Sequence, residues 1–130
     1  MVLNDPLANA LSAILNNERI GKLECNIYPS SKLIQRVFDI LKEKGYISVY
    51  EITKDDRGAR ISVKLTGHIN KCGVIKPRYS VKVDGLEKYE KRYLPAKDFG
   101  ILILSTPQGL MTHQDAKIKN LGGKLIAYCY

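Results

Sequence analysis

Residues 99–116 read FGILILSTPQGLMTHQDA, and they decide how the second half of the chain folds. Residues 101–104 form a run of four aliphatic side chains, which is typical of a strand buried on both faces. Pro107 presets the backbone angle at the second position of a four-residue turn, and Gly109 suits its last position. We therefore predict a buried strand that ends in a type I turn over residues 106–109, with hydroxyl and amide groups at its tip.

A short helix is predicted directly after this turn. Thr112, followed three residues later by Asp115, is typical of a capping box, so the helix should run from about His113 to Lys119. The glycine pair at 122–123 then allows a turn.

The last residues of the chain, 124–130, predict a closing strand. Simple alternation divides its side chains between two faces. One face would carry Leu125, Ala127 and Cys129, and the other Lys124, Ile126, Tyr128 and Tyr130.

The first half of the chain begins with a predicted helix and strand. Asp5 suits a helix cap and Pro6 the first helical position, where its missing N–H costs nothing. Residues 22–28 alternate between polar and apolar types, as in a half-buried strand. Its buried face would consist of Leu23, Cys25 and Ile27.

A second helix and two strands complete this half. The helix should begin after Ser30 or Ser31, either of which suits the cap, and end at Gly45. Residues 46–52 and 59–65 predict strands, joined by a loop over 53–58. The adjacent carboxylates in that loop are typical of turn chemistry, and no nucleophile or base lies beside them, so no catalytic residue is expected.

The pattern as a whole predicts an α+β fold. In the second half, residues 70–75 are strand-like, Val81 and Val83 indicate a short strand, and residues 85–94 indicate a helix. We expect two small subdomains: an N-terminal α-β-α-β-β subdomain over residues 1–66, and a C-terminal subdomain over residues 67–130 that is mainly β with short helices.

Charge is distributed unevenly between these halves. Residues 1–66 carry 10 Lys+Arg against 8 Asp+Glu, a net of +2, whereas residues 67–130 carry 11 against 5, a net of +6. A basic surface can serve solubility alone. A basic half that also presents a rigid polar turn favours a polyanionic partner.

Other composition features exclude several classes of protein. A hydrophobic content of 45% over 130 residues permits a folded core. No apolar run approaches the ~18–20 residues that span a bilayer, and the N-terminus lacks the basic region of a signal peptide. Three widely spaced cysteines and two distant histidines do not have the spacing of a zinc site. We expect a cytoplasmic protein with reduced, buried thiols, no membrane association, no metal and no cofactor.

Several motifs carry a family resemblance. The pattern Ser-Thr-x-x-Gly-Leu-Met at 105–111, followed by Ala116 and the glycine pair at 122–123, resembles the ribosomal protein S8 family of the small subunit. Further motifs in the same order cover nearly the whole chain. They are DPLA at 5–8, PSSKL at 29–33, GYI at 45–47, NKCGVIKPR at 70–78 and LPA at 94–96, the last two resembling the archaeal and eukaryotic branch.

The resemblance implies function as well as fold. Proteins of this family bind small-subunit ribosomal RNA directly and help to assemble the central domain of the particle. The chain is then expected to have neighbouring ribosomal proteins as further partners and to be a monomer off the ribosome. The C-terminal subdomain would carry the RNA-binding turn, because hydroxyls and amides on a stiff turn can contact the accessible groove of an RNA helix.

The expected RNA-binding residues form four groups. The turn contributes Ser105, Thr106, Pro107, Gln108 and Gly109, with Met111 behind it. Cations for phosphate groups are Lys71, Lys76, Arg78 and Lys124, and Tyr79 adds a ring suited to stacking. The start of the second helix contributes Ser31 and Lys32. The first helix contributes Asp5 and Asn9.

The sequence departs from the family pattern at three places. Pro107 stands where many members have a hydroxyl residue. Lys124 stands where bacterial members have an acidic residue. Ala13 and Leu15 stand where bacterial members have arginines on the first helix, so phosphate binding by that helix is not carried over.

Three functions are compatible with these features. The first is a non-catalytic ribosomal RNA-binding protein. The second is a small RNA-acting enzyme, which would need a cluster of histidine, carboxylate and lysine, a metal site or a cofactor loop; none has recognisable spacing in the sequence. The third is a translational repressor that binds its own messenger through the same surface.

Overall fold

A computed structural model describes residues 6–28, 31–56, 58–76, 78–96 and 99–130. The chain divides into two compact units, Met1–Asn70 and Lys71–Tyr130. Four helices and two antiparallel sheets make up an α+β fold, as the sequence predicts.

The first unit has the predicted order α-β-α-β-β. Its helices are α1 (Pro6–Arg19) and α2 (Lys32–Glu43). Its strands are β1 (Glu24–Ile27), β2 (Ile47–Asp55) and β3 (Gly58–Leu65), arranged β1-β3-β2 with β3 in the centre. The apolar faces of both helices are buried, with Ile14, Ile34 and Phe38 wholly inside.

Helix ends in this unit follow the predicted capping chemistry. Helix α1 begins at Pro6, while its predicted cap Asp5 lies outside the described residues. Ser31 caps α2, because its hydroxyl accepts a hydrogen bond of 3.2 Å from the N–H of Ile34; the alternative cap Ser30 lies outside the described residues. Gly45 has φ of 82°, which suits glycine at a helix end.

Two predictions for the first unit are wrong in detail. Leu23 is 73% exposed, because it lies just before β1, which begins at Glu24. Only Cys25 and Ile27 of the predicted face are buried. The β2–β3 connection is a hairpin with Asp55 paired to Gly58, so most of the predicted loop over 53–58 belongs to the two strands. Sequential antiparallel strands extend as far as the turn allows, since each added pair satisfies backbone groups.

The second unit is built around a five-stranded sheet. Its strands are β4 (Cys72–Val74), β5 (Ser80–Val81), β6 (Ile101–Thr106), β7 (Gly109–Thr112) and β8 (Gly123–Cys129). The order is β4-β8-β6-β7, and β5 also pairs with β8. A 3₁₀ turn (Val83–Gly85) leads into α3 (Leu86–Tyr93), and α4 (His113–Lys119) follows β7. The short strand therefore ends at Val81, and Val83 begins the 3₁₀ turn instead of extending the strand.

The aliphatic run 101–104 is buried along its whole length, as predicted. Leu102 and Leu104 belong to a core cluster with residues of α3, α4 and β8. The three cysteines of the chain are also buried, as the sequence predicts. Thr112 caps α4 by accepting a 3.2 Å hydrogen bond from the N–H of Asp115, which confirms the predicted start of that helix.

The predicted alternation of β8 is wrong because the strand contains a bulge. Ile103 pairs with Ala127, but Leu104 pairs with Leu125, so Ile126 is an extra residue opposite β6. Because of this extra residue, the side chains of β8 on the two sides of the bulge no longer follow one continuous alternation between the faces of the sheet. Leu125 and Tyr128 consequently pack on the same core cluster, although the sequence pattern assigns them to opposite faces.

The phenol of Tyr50, in the first unit, makes the free energy of unfolding depend on pH in the alkaline range. The hydroxyl of Tyr50 donates a hydrogen bond to the carboxylate of Asp39. Burial first, and then the hydrogen bond and negative charge of Asp39, raise the pKa of Tyr50 to about 12. An unfolded tyrosine has a pKa of about 10, so the folded chain binds more protons between these values. The contribution of Tyr50 to stability is present below pH 10 and is lost as the pH rises through 12.

We predict that Tyr50→Phe reduces the slope of unfolding free energy against pH between about pH 10 and 12. The measurement is urea unfolding at a series of pH values, with ultraviolet titration of the phenols alongside. Asp39→Asn should lower the pKa of Tyr50 only partway, because burial remains. An unchanged slope in Tyr50→Phe would contradict the assignment.

Candidate nucleic-acid interface

The predicted polar turn is the tip of a hairpin formed by β6 and β7. Thr106 pairs with Gly109, so Pro107 and Gln108 are the two central residues of the turn. Among the described residues that are not glycine, only Asn120 has a positive φ. The absence of positive φ at Gln108 excludes a type II turn and agrees with the predicted type I turn. Gly109 has φ of 113° and provides the bend that returns the chain to β7.

Thr106 holds the turn together from inside. Its hydroxyl donates a 2.8 Å hydrogen bond to the carbonyl of Gly109 and accepts one of 3.2 Å from the N–H of Gln108. The residue is only 8% exposed. The two central residues, Pro107 and Gln108, are exposed, so the tip is stiff and open to solvent at once.

The hairpin lies beside a glycine pair at the start of β8. A Cβ atom at Gly123 would overlap the carbonyl oxygen of Ser105, and one at Gly122 would lie 2.6 Å from the carbonyl oxygen of Val81. Both contacts are with backbone, which cannot move aside as a flexible side chain could. Only glycine at both positions lets β8 pass this close to β5 and β6.

This close passage brings three polar side chains into one row. Lys124 pairs with Ser80 on one side and with Ser105 on the other. Directly paired residues of antiparallel strands point to the same side of the sheet. Ser80, Lys124 and Ser105 are all exposed. The row therefore presents two hydroxyls with an ammonium group between them.

An open groove of about 770 Å³ runs along the same edge. It contains the predicted residues Ser105, Thr106, Pro107 and Lys124. The groove also contains three polar residues that were not predicted from the sequence, Ser80, Lys82 and Asn120. The only sequence signal for the position of Ser80 and Lys82 is the glycine pair, which marks a close approach without identifying the partner strand.

The remaining predicted residues of the second unit have different settings. Lys71, Lys76 and Arg78 are exposed, and Tyr79 is partly exposed. Tyr79 directly precedes β5, and its carbonyl accepts a 2.9 Å hydrogen bond from the N–H of Leu125. Met111 is buried in the core cluster, so it can anchor the hairpin but has little surface for a ligand.

The predicted residues of the first unit form a separate group. Asn9 and Lys32 are exposed, and Ser31 is partly exposed with its hydroxyl used for capping α2. Asn9 lines a small cavity with Asn26 and Tyr28. Asp5 lies outside the described residues.

A cluster of ionisable groups, which the sequence spacing did not reveal, joins α3 and α4; Glu90 and His113 are buried, and Lys117 is exposed. The Glu90 carboxylate contacts the ammonium of Lys117 and lies 3.6 Å from Nε2 of His113. Nδ1 of His113 accepts a 3.0 Å hydrogen bond from the N–H of Leu102, and the side chain is 2% exposed. Because one ring nitrogen is occupied by the backbone of β6, the cluster fixes the position of α4 against the sheet.

The α+β fold and its exposed polar hairpin agree with the class of protein that the sequence motifs indicate. Residues 5–130 match the family model described as ribosomal protein S8. The chain therefore belongs to the ribosomal protein S8 family. Members are structural proteins of the small ribosomal subunit that bind ribosomal RNA, and this chain is accordingly a ribosomal, RNA-binding component of that subunit.

None of the helices within the described residues combines the length and apolar character that a membrane span requires. Over the same parts of the chain, no three His, Cys, Asp or Glu side chains are grouped so that they could hold a metal ion.

We predict that Gly123→Ala destabilises the second unit by about 1–3 kcal/mol or more, because the new methyl group meets backbone. The measurement is the urea dependence of unfolding. Gly85→Ala is the control, since its Cβ would meet only a methyl group of Val81, at 3.2 Å. Equal stability of Gly123→Ala and the wild type would contradict the close approach of β8.

The hydroxyl of Thr106 gives a second prediction. Thr106→Val keeps the shape but removes both hydrogen bonds, and we expect it to lower the unfolding free energy by about 1 kcal/mol. Thr106→Ser, which keeps the hydroxyl, should lose less. Ser105→Ala, one residue away but exposed, should change stability by less than about 0.5 kcal/mol. The reverse order of these effects would show that Thr106 does not hold the turn.

Proposed function

We propose that the second unit binds an irregular helix of small-subunit ribosomal RNA with the tip of the β6–β7 hairpin. The observation that carries this proposal is the exposed row Ser80, Lys124 and Ser105 beside a turn that is already held by Thr106. Ser105, Gln108 and the backbone of Gly109 would contact ribose hydroxyls and base edges.

The chemistry of A-form RNA supports this role. Its major groove is too narrow for side chains, so proteins recognise 2′-hydroxyls, the backbone and bases exposed at irregularities. Hydroxyl and amide groups can both donate and accept hydrogen bonds with these partners. Lys124 lies next to Ser105 and would neutralise a phosphate close to the recognised groove.

The flanking residues would add affinity with less selectivity. Lys71, Lys76, Arg78 and the newly found Lys82 are cations for neighbouring phosphates, and Tyr79 offers a ring for stacking. In the first unit, Ser31, Lys32 and Asn9 would form a second set of contacts, together with Asp5. We propose this division between a selective C-terminal subdomain, residues 67–130, and an auxiliary N-terminal one, residues 1–66.

The wider role follows from the family. We propose that the chain helps to assemble the central domain of the small subunit in the cytoplasm, is a monomer off the ribosome, and has no catalytic activity. Lys124 and the motif at 70–78 support placement in the archaeal and eukaryotic branch. The Glu90–Lys117–His113 cluster supports a structural role, because the Glu90 carboxylate is paired with Lys117 and the His113 ring accepts a hydrogen bond from the backbone.

We predict that Ser105→Ala lowers affinity for the irregular ribosomal RNA helix by ~1–3 kcal/mol, since it leaves a buried polar partner on the RNA unsatisfied. Affinity for a perfect RNA duplex should change by much less. The measurement is equilibrium binding of both RNAs at one fixed salt concentration. Unchanged affinity for the irregular helix would remove Ser105 from the recognition surface.

Lys124→Ala is the matched comparison, because it alters the neighbouring residue of the same row. Loss of a phosphate contact should weaken binding to both RNAs similarly and should reduce the slope of log affinity against log salt by about one or less. A loss confined to the irregular helix would show that Lys124 reads bases.

A further inference from the structure

Six of the ten aromatic residues of the chain lie in one continuous strip on the second unit. Aromatic residues make up only 8% of the chain, so six in one strip is a marked concentration. None of the six is fully buried. We call it the aromatic strip. Its members are, in spatial order, Phe99, Tyr130, Tyr128, Tyr93, Tyr79 and Tyr89.

Neighbouring groups along the strip are in ring or cation–π contact. From Phe99 to Tyr93 the successive ring centroids are separated by 6.4, 6.3 and 5.5 Å. The guanidinium of Arg92 then lies 5.6 Å from the ring of Tyr93 and 5.7 Å from that of Tyr79, so it joins the two parts. Tyr79 and Tyr89 are 5.5 Å apart, and the ammonium of Lys88 lies 5.9 Å from the ring of Tyr89.

The strip has an apolar base and a basic outer border. The five tyrosines are partly buried and pack against the core cluster, whereas Phe99 is 49% exposed. Lys88 and Arg92 are exposed. Burial first, and then the neighbouring Tyr130, Cys72 and Tyr93, raises the pKa of Tyr128. The Tyr128 phenol, at the centre of the strip, therefore stays protonated well above neutral pH. The surface is thus aromatic and cationic at neutral pH.

One end of the strip adjoins β5, a strand that lines the groove beside the hairpin. Tyr79 is followed directly by Ser80, which lines that groove and pairs with Lys124. Successive residues of an extended strand point to opposite faces of a sheet, so the Tyr79 and Ser80 side chains lie on opposite sides of β5, whose partner among the described strands is β8. A strand of RNA that leaves a helix bound at the hairpin would pass around this edge strand to reach the aromatic strip.

We propose that the aromatic strip binds unstacked nucleotides of the RNA strand that continues from the helix held by the hairpin. The proposal rests on the proposed function for the position of the RNA. Aromatic rings and arginine planes stack on bases of any sequence, and the adjacent cations follow the phosphate backbone. Tyrosine and arginine are also frequent where proteins bind proteins. The exposed cations Lys88 and Arg92 on the strip, and Arg78 directly before Tyr79, favour a polyanionic occupant, and RNA bound at the neighbouring hairpin would supply one.

Binding is tested with the irregular ribosomal RNA helix, prepared with and without a single-stranded tail of six nucleotides at either end. One of the two tails should tighten binding to the wild-type chain about tenfold. The double variant Tyr79→Leu with Tyr89→Leu should lose that gain. The matched control, Tyr79→Phe with Tyr89→Phe, keeps the rings and should retain most of it. Because the chain has no tryptophan, quenching of tyrosine emission reports stacking directly.

A tail that gives no gain at either end, or a gain that survives both leucine substitutions, would overturn the proposal. Phe99→Leu, at the exposed end of the strip, is the second variant if the double variant does not fold; it should reduce the gain from a longer tail of ten nucleotides.

A free single-stranded hexanucleotide separates this proposal from the proposed function. If the helix without a tail is not bound selectively, the proposed function fails, and quenching by the hexanucleotide that the leucine variants abolish would still support the strip. Quenching by an oligoglutamate peptide and not by the hexanucleotide would instead assign the strip to an acidic protein partner and overturn RNA as its occupant.

Discussion

The arrangement of the second unit depends on the passage of β8 between β5 and β6 at Gly122 and Gly123. No side chain fits at either position, because the carbonyl groups of Val81 and Ser105 occupy the space. This backbone contact sets the register that places Lys124 between Ser80 and Ser105. The exposed polar row, the groove and the base of the hairpin all follow from it. A steric constraint on two glycines thus determines where the polar groups of the candidate interface stand.

The two hydroxyl residues of the hairpin, Ser105 and Thr106, have different roles. Thr106 uses its hydroxyl inside the turn, and Ser105 keeps its own exposed. This division also accounts for Pro107, which lacks both a hydroxyl and an N–H. A proline at this position stiffens a turn whose hydrogen bonds are made by its neighbours. A tip that is ordered before RNA binds loses less conformational entropy on binding, and the affinity for RNA is therefore higher.

The sequence predicts the local features of this fold well because they have local causes. The buried strand 101–104, the caps Ser31 and Thr112 and the turn at Pro107 each follow from residues close together in the chain. The faces of β8 were predicted wrongly, because the bulge at Ile126 arises from pairing with β6, 20 residues or more away in sequence. For the same reason Ser80 and Lys82 were missed: β5 reaches the hairpin only through its pairing with β8. The aromatic strip likewise combines residues from positions 79 to 130, and only Tyr79 among them was predicted to contact RNA.

We propose that RNA recognition depends on the hairpin and its polar row, and that the net charge of +8 alone does not account for it. The most direct measurement is a salt titration of binding to fragments of small-subunit ribosomal RNA, with a perfect duplex as the reference. We predict that one irregular helix binds tighter than the duplex by about 10³ or more at moderate salt, with the difference maintained as salt rises. Equal binding to all fragments, lost together as salt increases, would show that binding depends on charge alone and would contradict recognition by the hairpin.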